Sequence, residues 1–541
     1  MKMNVIESLG EIAQAHPKTI GLKAPYRNFG GTLNYHNKTF QQMDCEVDLW
    51  ATYLMTQGFS RGQKALLMLP PGEDLLVTVF AMLRLGTIPV VIDPGMGLKN
   101  FIHCAKRTQP DLFLGCPKAR ILYYLLQPII HFKKAIFLSQ RLKKTLYKKD
   151  FACHLQQEER NKDTAAVLFT SGSTGYPKGA VYTYEEFNQQ IEVLRDTFLI
   201  QPGEVDIPLL PVFSLYNPAL GMTTIVPEMN PSHPGALKPK KIVEAILTNN
   251  VTNSFGSPRL WTKIADYCEK NDITLPSIKR IFLAGAPVHP LLLKRVQALI
   301  PNGKAFTPYG ATEALPIAYI SAQEVIQNTY TLTLQGKGTC VGHALPGVQI
   351  RIIPIKDEAL AQLPDELPIG KVGEIAVCAP YISKSYLNDS SATAKAKISD
   401  NGHIWHRMGD LGYKDDQGRL WFCGRKAERV ICQDRTFYTD CCEAIFNAHK
   451  AVARSALIAF EKEGQIVPAI VIELKRKLSA FQRKNLLQEL RELAQTVATT
   501  QEISHFGFYK KFPVDVRHNA KIHRLTLTRY FKKHPSGIIE I

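Results

Sequence analysis

Short apolar runs alternate with longer segments of helical periodicity over roughly the first 330 residues of the chain. Helical spacing marks 46–55 (EVDLWATYLM) and 75–86 (LLVTVFAMLRLG). Runs typical of strands lie at 64–70 (KALLMLP), 88–93 (IPVVID), 165–170 (AAVLFT), 251–256 (VTNSFG) and 278–285 (IKRIFLAG). Because strands that alternate with helices usually pair in parallel, this pattern predicts at least two α/β subdomains.

The pattern changes character from residue 336 to residue 413. Short strand candidates there are separated by Gly, Pro and Asp turns, as in VQIRIIPI, GEIAVCA and GYKDDQGRLWF. After residue 424 the chain is mixed again, with VPAIVIEL as a strand and FQRKNLLQELRELAQTVA as an amphipathic helix. We therefore predict an α/β fold class. A large N-terminal domain, residues 1–425, combines α/β subdomains with a β-rich subdomain, and a small C-terminal α+β domain spans 426–541.

Composition restricts the class of protein and its compartment. Of the 541 residues, 45% are hydrophobic and 21% charged, which is ordinary globular usage and argues against disorder. The eleven cysteines are scattered without a CxxC pair, so neither a disulfide framework nor a zinc site is indicated. The first residues lack the apolar core of a signal peptide, and Arg84 interrupts the most apolar window. We expect a soluble, cytoplasmic protein.

Positive charge is the most unusual feature of the composition. The chain has 66 Lys and Arg against 48 Asp and Glu, a formal net charge of +18. Part of the excess forms a cluster of Lys133, Lys134, Arg141, Lys143, Lys144, Lys148 and Lys149. An ordinary solvated face, an anionic membrane surface and an acidic partner protein all stay open as explanations. Nucleic acid is not expected, because no helix-turn-helix, zinc-finger or RNA-binding signature accompanies the charge.

A loop rich in glycine and hydroxyl groups, from Thr170 to Gly179, directly follows an apolar run. Its candidate phosphate-binding residues are Thr170, Ser171, Gly172, Ser173, Thr174 and Gly175. Glycines let backbone N–H groups face phosphate oxygens, hydroxyls add donors, and Lys178 supplies charge. The GxxxxGK[ST] spacing of a Walker A loop is absent, so P-loop phosphoryl transfer is disfavoured.

The residues after this loop predict a capped helix. Thr183 and Glu186 have the spacing of a capping box, and apolar residues at 187, 191, 194 and 198 repeat at helical intervals. We expect strand, loop and helix to follow in that order. A flexible Ser/Gly linker would not combine these features, so that alternative is disfavoured.

The segment TSGSTGYPKG resembles the signature loop of the acyl-adenylate-forming superfamily, which includes acyl-CoA synthetases, luciferases and peptide-synthetase adenylation domains. Further segments match in the same order along the chain. They are Gly285, Ala286 and Pro287, then Tyr309, Gly310, Ala311, Thr312 and Glu313. The resemblance implies that the first group lines an adenine pocket, that Tyr309 stacks on adenine, that Thr312 contacts phosphate and that Glu313 holds Mg²⁺.

Three charged residues in the last third of the chain extend the resemblance. Asp410, in RMGDLGYKDDQGRLWFCGR, and Arg425 match residues that bind the ribose, and Lys521, in FPVDVRHNAKIHR, matches a C-terminal catalytic lysine. Taken alone, each would be an ordinary surface charge. The resemblance implies ATP and Mg²⁺ as cofactors and a mobile C-terminal domain that brings Lys521 to the loop.

The chemistry that the resemblance implies is activation of a carboxylic acid. A carboxylate lacks a good leaving group, and joining it to AMP provides one. Attack on the α-phosphate concentrates negative charge, which lysines, loop amides and Mg²⁺ can offset. The predicted catalytic residues are Thr170, Lys178, Glu313 and Lys521.

A more specific resemblance concerns the second step. The segments VIDPGMGLKN, PLLPVFSLYNPALGMTTIVPEMNP and FPVDVRHNAKI look like those of the olefin β-lactone synthetases, which close long-chain β-hydroxy acids to β-lactones. Three positions depart from the acyl-CoA ligase pattern: Ser214 after Phe213 in place of histidine, Ala427 at the hinge, and 431–435 (ICQDR) in place of a glycine-rich turn. Larger side chains in that turn would obstruct the tunnel for a thiol substrate.

A β-hydroxyl on the acyl adenylate needs no tunnel, because it attacks within the same molecule. His518 is a candidate base by residue type, although a packed or exposed histidine is the more ordinary explanation. The resemblance implies a long-chain β-hydroxy acid substrate, with a β-lactone decarboxylase and a reductase as partners.

Two other functions stay open on the sequence. The general superfamily motifs also fit a fatty acyl-CoA or acyl-carrier ligase, which would form a thioester from a plain fatty acid. The basic cluster and the altered hinge also fit a nucleotide-binding scaffold without activity, although the charged residues expected of an enzyme are present.

Overall fold

The computed structural model describes residues 4–28, 30–147, 160–170, 176–230, 234–433, 435–514 and 521–541. Its strands, in chain order, are β1 Ile20–Arg27, β2 Leu33–Thr39, β3 Lys64–Met68, β4 Ile88–Val91, β5 Leu112–Gly115, β6 Lys134–Phe137, β7 Thr164–Phe169, β8 Gly179–Thr183, β9 Val205–Pro208, β10 Thr223–Ile225, β11 Asn253–Gly256, β12 Arg280–Leu283, β13 Lys304–Ala311, β14 Ala314–Ser321, β15 Thr339–Ala344, β16 Gln349–Ile353, β17 Gly373–Cys378, β18 Ser385–Tyr386, β19 Lys397–Asp400, β20 His403–Lys414, β21 Leu420–Arg425, β22 Val430–Cys432, β23 Arg435–Phe437, β24 Val452–Lys462, β25 Gln465–Leu474, β26 His505–Phe508 and β27 Ile538–Glu540.

Helices connect most of these strands. They are α1 Val5–Ala15, α2 Phe40–Thr56, α3 Glu73–Leu85, α4 Leu98–Thr108, α5 Arg120–Leu126, α6 Gln140–Leu146, α7 Tyr184–Phe198, α8 Asn217–Leu220, α9 Pro239–Thr248, α10 Pro258–Lys270, α11 Pro290–Leu299, α12 Ala322–Glu324, α13 Tyr330–Leu332, α14 Ser390–Ala396, α15 Thr439–Asn447, α16 Ala480–Gln495 and α17 Arg524–Lys533. Across the described ranges, no helix is both long and apolar enough to cross a membrane.

Two large sheets build the N-terminal part of the chain. One has the order β18-β8-β7-β4-β3-β5-β6, and its pairs from β7 to β6 are parallel. The other contains the parallel series β1-β10-β9-β11-β12-β13. The central strands are almost wholly buried, as expected where helices cover both faces of a parallel sheet. The predicted α/β subdomains are therefore confirmed.

The segment predicted to be β-rich forms antiparallel strands, as expected. These strands do not make a separate sheet, because they extend the second large sheet through β14-β15-β21-β20-β17-β16. This continuation matters for function. It brings β20 and β21 alongside the end of β13, where the candidate site residues converge.

The chain after the phosphate loop differs from the predicted order in one respect. The capping box is confirmed: the side chain of Thr183 accepts from the backbone N–H of Glu186, and Glu186 accepts from the backbone of Thr183. However, an additional strand, β8, lies between loop and helix and pairs antiparallel with β7. A strand of five residues is too short to show a clear alternation of apolar and polar positions. The helical periodicity of the segment that follows therefore dominates the pattern.

The C-terminal residues form a smaller α+β arrangement. Strands β24 to β27 make a four-stranded sheet, and helices α15, α16 and α17 lie nearby in the chain. An apolar core of its own, including Phe446, Ile470, Leu490 and Phe506, holds this part together. This agrees with the predicted α+β character of the C-terminal part.

Candidate active site

The predicted Tyr309-to-Glu313 segment ends β13 and forms the turn into β14. A Cβ atom added at Gly310 would lie 2.5 Å from the carbonyl oxygen of Ala314, so only glycine allows this close approach. The hydroxyl of Tyr182, on β8, donates a 2.5 Å hydrogen bond to the carbonyl oxygen of Thr312. The two sheets are thereby joined where the turn meets the strand that follows the phosphate loop.

The phosphate loop begins and ends on neighbouring strands. The backbone N–H of Thr170 donates to the carbonyl oxygen of Lys178 at 2.9 Å and so closes the base of the loop. The predicted phosphate-binding residues Ser171, Gly172, Ser173, Thr174 and Gly175 lie outside the described residues. The ammonium of Lys178 lies 5.1 Å from the ring centroid of Tyr386, close enough for a cation–π contact.

Glu313 is buried at the end of the turn. The Tyr386 hydroxyl donates a 2.6 Å hydrogen bond to Oε1 of Glu313, and the backbone N–H of Ser383 donates to the Glu313 carbonyl at 2.9 Å. Burial, followed by the charge of Glu313, raises the pKa of Tyr386, so its hydroxyl keeps its proton and acts as a donor. The protein therefore orients the Glu313 carboxylate through one of its two oxygens, Oε1.

A buried lysine, Lys397, lies near the Glu313 carboxylate. Its ammonium donates to both the carbonyl and the hydroxyl of Ser383, and it lies 6.0 Å from the Tyr386 ring centroid. Burial lowers the pKa of Lys397 to about 8, while Glu313 and Glu186 oppose that shift. Lys178 and Lys397 together place two cationic side chains around Tyr386.

Sequence reasoning missed Tyr386 and Lys397. Both lie in a stretch, SYLNDSSATAKAK, whose polar composition is typical of an exposed loop. No motif or period in it distinguishes a buried lysine from a solvated one, because the partners of Lys397 come from other parts of the chain.

Asp410 and Arg425 face each other across the antiparallel pair β20–β21. Nη1 of Arg425 lies 3.0 Å from Oδ1 of Asp410, and the Tyr309 hydroxyl donates to Oδ2 at 2.7 Å. The arginine contact is an ion pair without hydrogen-bond geometry, so among the described residues Oδ1 accepts no hydrogen bond although it is buried. A buried acceptor of this kind suits a hydroxyl group of a ligand.

Lys521, from the C-terminal part of the chain, belongs to the same electrostatic group. Burial raises the pKa of Asp410, while Arg425, the Tyr309 hydroxyl and Lys521 each lower it. The ammonium of Lys521 is therefore close enough to act on the Asp410 carboxyl. The structure thus brings together residues that are more than 100 positions apart in the sequence.

The turn Gly285-Ala286-Pro287 follows β12, which pairs in parallel with β13. Its left-handed Gly285, with φ of 92°, lets the chain turn sharply there. Because the carboxyl ends of parallel strands meet at one edge of a sheet, this turn lies at the same edge as Tyr309.

An apolar pocket adjoins these groups. Its wall is formed by Leu194, Phe198, Ile200, Phe213, Tyr216, Leu220, Met222, Phe255, Phe282, Pro308, Leu315 and Pro316, with Asp206, Asn217 and Asn253 as polar members. Phe213 stacks on Phe255 with ring centroids 3.7 Å apart. Pro308 and Leu315 directly flank the Tyr309-to-Glu313 turn, so the cavity reaches that turn.

Asp206 is an acidic residue in the otherwise apolar wall. Oδ2 of Asp206 accepts a 2.9 Å hydrogen bond from Nδ2 of Asn217, which also donates to Thr224 at 3.0 Å. Burial raises the pKa of Asp206 to about 7, and the Asn217 bond opposes the shift. No sequence signal indicated that an aspartate at the start of an apolar strand would line a cavity.

The segment at 431–435 forms the hairpin of β22 and β23. Gln433 has a positive φ of 40°, and Asp434 lies outside the described residues. Arg435 donates to Glu502 and, at 2.7 Å, to the carbonyl oxygen of Ala498. The hairpin is thus attached to the C-terminal part of the chain. The candidate base His518 also lies outside the described residues.

Comparison with known proteins agrees with this geometry. A family model described as AMP-binding enzyme matches residues 13–387. Two relatives, the olefin beta-lactone synthetases of Xanthomonas campestris pv. campestris and Stenotrophomonas maltophilia, are each 37% identical over 538 and 544 residues, with 96% of both chains covered. The superfamily resemblance and the more specific one are both confirmed.

The solved structures include O-succinylbenzoate coenzyme A synthetase from Bacillus subtilis, in complex with ATP and a magnesium ion. It matches with a TM-score of 0.76 at 21% identity, covering 96% of this chain and 99% of that one. This likeness confirms the fold.

Proposed function

Because the chain belongs to the AMP-binding enzyme family and is an adenylate-forming ligase, we propose that it converts a long-chain β-hydroxy acid to a β-lactone. In this proposal ATP is the second substrate, Mg²⁺ is the cofactor, and AMP and pyrophosphate are released. The observation that carries the proposal is the apolar cavity that reaches the Tyr309-to-Glu313 turn. An apolar acyl chain in the cavity presents its carboxylate beside the predicted nucleotide site.

The residues around Asp410 fit an adenine nucleotide. Oδ1 of Asp410 is buried and accepts no hydrogen bond among the described residues, so a ribose hydroxyl can donate to it. Arg425 pairs with that carboxyl at 3.0 Å and opposes the rise in its pKa that burial causes. The left-handed Gly285 turn lies at the same sheet edge and is our candidate for contact with the base. We therefore assign the predicted cofactor-binding residues to ATP.

Glu313 fits the role of the Mg²⁺ ligand. The Tyr386 hydroxyl occupies Oε1, and Mg²⁺ typically takes one or two carboxylate oxygens together with phosphate oxygens. When bound, Mg²⁺ offsets negative charge on the phosphates. The structure of the Bacillus subtilis relative in complex with ATP and a magnesium ion supports this assignment.

The first reaction step joins the acid to AMP. A carboxylate oxygen attacks the α-phosphorus, the bond to the bridging oxygen breaks, and pyrophosphate leaves with both electrons of that bond. Lys178 and Lys521 offset the charge that accumulates around phosphorus, and the Thr170 backbone and hydroxyl help to shape the loop. The position of Lys521 near Asp410 supports this role.

The second step closes the ring. The β-hydroxyl oxygen attacks the acyl carbon, gives up its proton and displaces AMP, which yields a four-membered lactone. Whole-length similarity to two olefin beta-lactone synthetases supports this step. The 431–435 hairpin supports it too, because its side chains replace the small residues that a thiol tunnel requires.

We also propose that residues 426–541 move as a unit about a hinge next to Arg425. The turn Lys426–Glu428 directly follows Arg425, and Lys521 belongs to the part of the chain beyond it. Movement of this unit would bring Lys521 to the nucleotide for adenylation and withdraw it afterwards.

Mass spectrometry of reaction products tests the proposal. Purified protein is incubated with ATP, Mg²⁺ and a long-chain β-hydroxy acid, with and without coenzyme A. We expect a β-lactone, AMP and pyrophosphate in both cases. A plain fatty acid of equal length is the matched control, and with it the acyl adenylate should accumulate without lactone. A thioester that depends on coenzyme A would instead favour a fatty acyl-CoA ligase. ATP binding without pyrophosphate exchange for any acid in a broad panel would leave only nucleotide binding.

A further inference from the structure

An apolar stripe is exposed along one side of α5 and the loop that follows it. Ile121, Tyr124 and Leu125 are exposed by 74%, 65% and 53%, and Ile129 by 40%. Positions i, i+3 and i+4 lie on one face of a helix, so the first three side chains point the same way. The opposite side of α5 is anchored, because Leu126 is fully buried against the sheet. The outer stripe therefore contributes nothing to the core.

Basic residues surround this stripe. Residues 112–149 contain no Asp or Glu. Their lysines and arginines are Lys118, Arg120, Lys133, Lys134, Arg141, Lys143, Lys144, Lys148 and Lys149. Basic residues therefore precede and follow α5 in the sequence, and no acidic residue lies among them.

Among the members of this set that the structure describes, two pair with acidic residues. Lys133 pairs with Asp111 at 2.9 Å, and Lys143 pairs with Asp74. Arg120 lies over the ring of Phe137, 5.0 Å from its centroid. Among the described residues, the exposed Lys118 and Lys134 have no ion-pair partner.

We propose that this surface, α5 with its flanking loops over residues 117–134, docks onto an anionic lipid membrane. The exposed apolar side chains belong to a stretch, 112–149, that has many lysines and arginines and no Asp or Glu. This combination fits the boundary between acyl chains and anionic headgroups. The apolar residues enter that boundary, and the basic residues contact the headgroups. A purely electrostatic partner would not need the apolar stripe, and an ordinary apolar protein partner would not need the excess of basic residues.

The proposal does not depend on β-lactone formation. It rests on the surface of α5 alone, and a protein that adenylates another apolar acid would dock in the same way. Membrane docking would give such an enzyme access to substrates that partition into lipid.

Vesicle flotation of the full chain tests the proposal. One set of vesicles contains phosphatidylglycerol and phosphatidylcholine in equal parts, and the other contains phosphatidylcholine alone. We expect the protein to float with the anionic vesicles and to be released as salt rises, since salt screens surface charges. Equal binding to both kinds of vesicle, or binding to neither, overturns the proposal.

Two variants separate the apolar and the basic contributions. The triple change Ile121→Ser, Tyr124→Ser and Leu125→Ser should weaken binding to anionic vesicles by about tenfold or more. The change Lys118→Gln with Lys134→Gln should weaken it by about fivefold per charge. If the triple serine variant binds like the unchanged protein, the stripe does not enter the membrane and the proposal is wrong.

A matched control uses apolar residues of equal exposure elsewhere. Ile369 and Phe481 are exposed by 69% and 73%, and their change to serine should leave vesicle binding unaltered. Pyrophosphate exchange with a short, water-soluble acid should be the same in all variants, because none of these residues belongs to the candidate site. A loss of binding in the control pair would show that general surface hydrophobicity, rather than α5, causes binding, and would contradict the proposal.

Discussion

The hydroxyl of Tyr386 lies 2.6 Å from Oε1 of Glu313 and donates to it, while the ring of the same tyrosine lies under the ammonium of Lys178. One side chain thus contacts both the proposed metal ligand and the lysine of the phosphate loop. Its two contacts can be separated, because phenylalanine keeps the ring and removes only the hydroxyl.

We predict that Tyr386→Phe impairs the use of Mg²⁺ more than the binding of ATP. Without the hydroxyl, Glu313 loses the donor that orients it, and residues of this kind typically contribute 10- to 100-fold to metal affinity. The rate of pyrophosphate exchange as a function of Mg²⁺ concentration should shift by about that factor.

Tyr381→Phe is the control for this change. Its hydroxyl is also buried and donates at 2.7 Å, but to the carbonyl oxygen of Pro316. We expect that variant to lose stability and to keep its Mg²⁺ dependence. If both variants respond alike to Mg²⁺, the Tyr386 hydroxyl has no specific relation to the metal site.

A second prediction concerns Lys521. Lys521→Ala should lower the rate of adenylation by roughly 100-fold or more, since it removes a charge that acts on the transition state. ATP binding should change little, because the ribose contacts proposed for Asp410 and Arg425 remain. Calorimetric binding of ATP and pyrophosphate exchange measure the two quantities separately. The exposed Lys511 provides the control, and Lys511→Ala should leave both unchanged. An adenylation rate unaffected by loss of Lys521 would contradict the assignment.

Local signals in the sequence predicted local structure well. The Thr183–Glu186 capping box and the strand before the phosphate loop follow from residues a few positions apart, and the structure has them. The ordered motifs also located the turn at 309–313 and the Asp410–Arg425 pair.

Groups that depend on distant partners could not be predicted in this way. Lys397 is buried near Ser383, Glu313 and Glu186, and Asp206 faces a cavity whose wall spans residues 194–316. Burial of a charged side chain is a property of the packed fold, and no spacing within the sequence reports it.

A third prediction follows from Arg524, which binds two buried carboxylates. Its Nη1 donates to Glu428 at 2.8 Å, and its Nε and Nη2 donate to the two oxygens of Glu443 at 2.6 Å each. Glu428 belongs to the turn after Arg425, and Arg524 lies three residues after Lys521. The arginine therefore ties the segment that carries Lys521 to the proposed hinge.

Arg524→Gln should destabilise the C-terminal part by about 3–5 kcal/mol, because it leaves two buried carboxylates without their cation. Denaturant unfolding measures the loss. Lys532, on the same helix, pairs with Glu461 at the surface, and Lys532→Gln should cost about 1 kcal/mol or less. Equal losses in the two variants would mean that the buried network adds nothing beyond a surface pair.

The last prediction uses the titration of Asp206. Burial raises the pKa of this carboxyl from 3.8 to about 7, so between these values the folded state holds a proton that the unfolded state has released. The free energy of unfolding therefore falls as pH rises through this window, and the full cost of the buried charge is present above pH 7. Asp206→Asn removes the titration and keeps an oxygen that can accept from Asn217. The variant should be more stable than the unchanged protein by a few kcal/mol at alkaline pH. This magnitude follows from the size of the pKa shift of Asp206.

Urea unfolding at pH 5 and pH 8 measures both the sign and the size of the change in the free energy of unfolding. The stability advantage of Asp206→Asn should be larger at pH 8, since Asp206 is mostly neutral at pH 5 and mostly charged at pH 8. The exposed Asp416 is the control for the substitution itself, and Asp416→Asn should change the stability by less than about 0.5 kcal/mol. If the advantage of Asp206→Asn were equal at both pH values, the carboxyl would not titrate in this range, and the polar wall of the cavity would be permanently in one charge state.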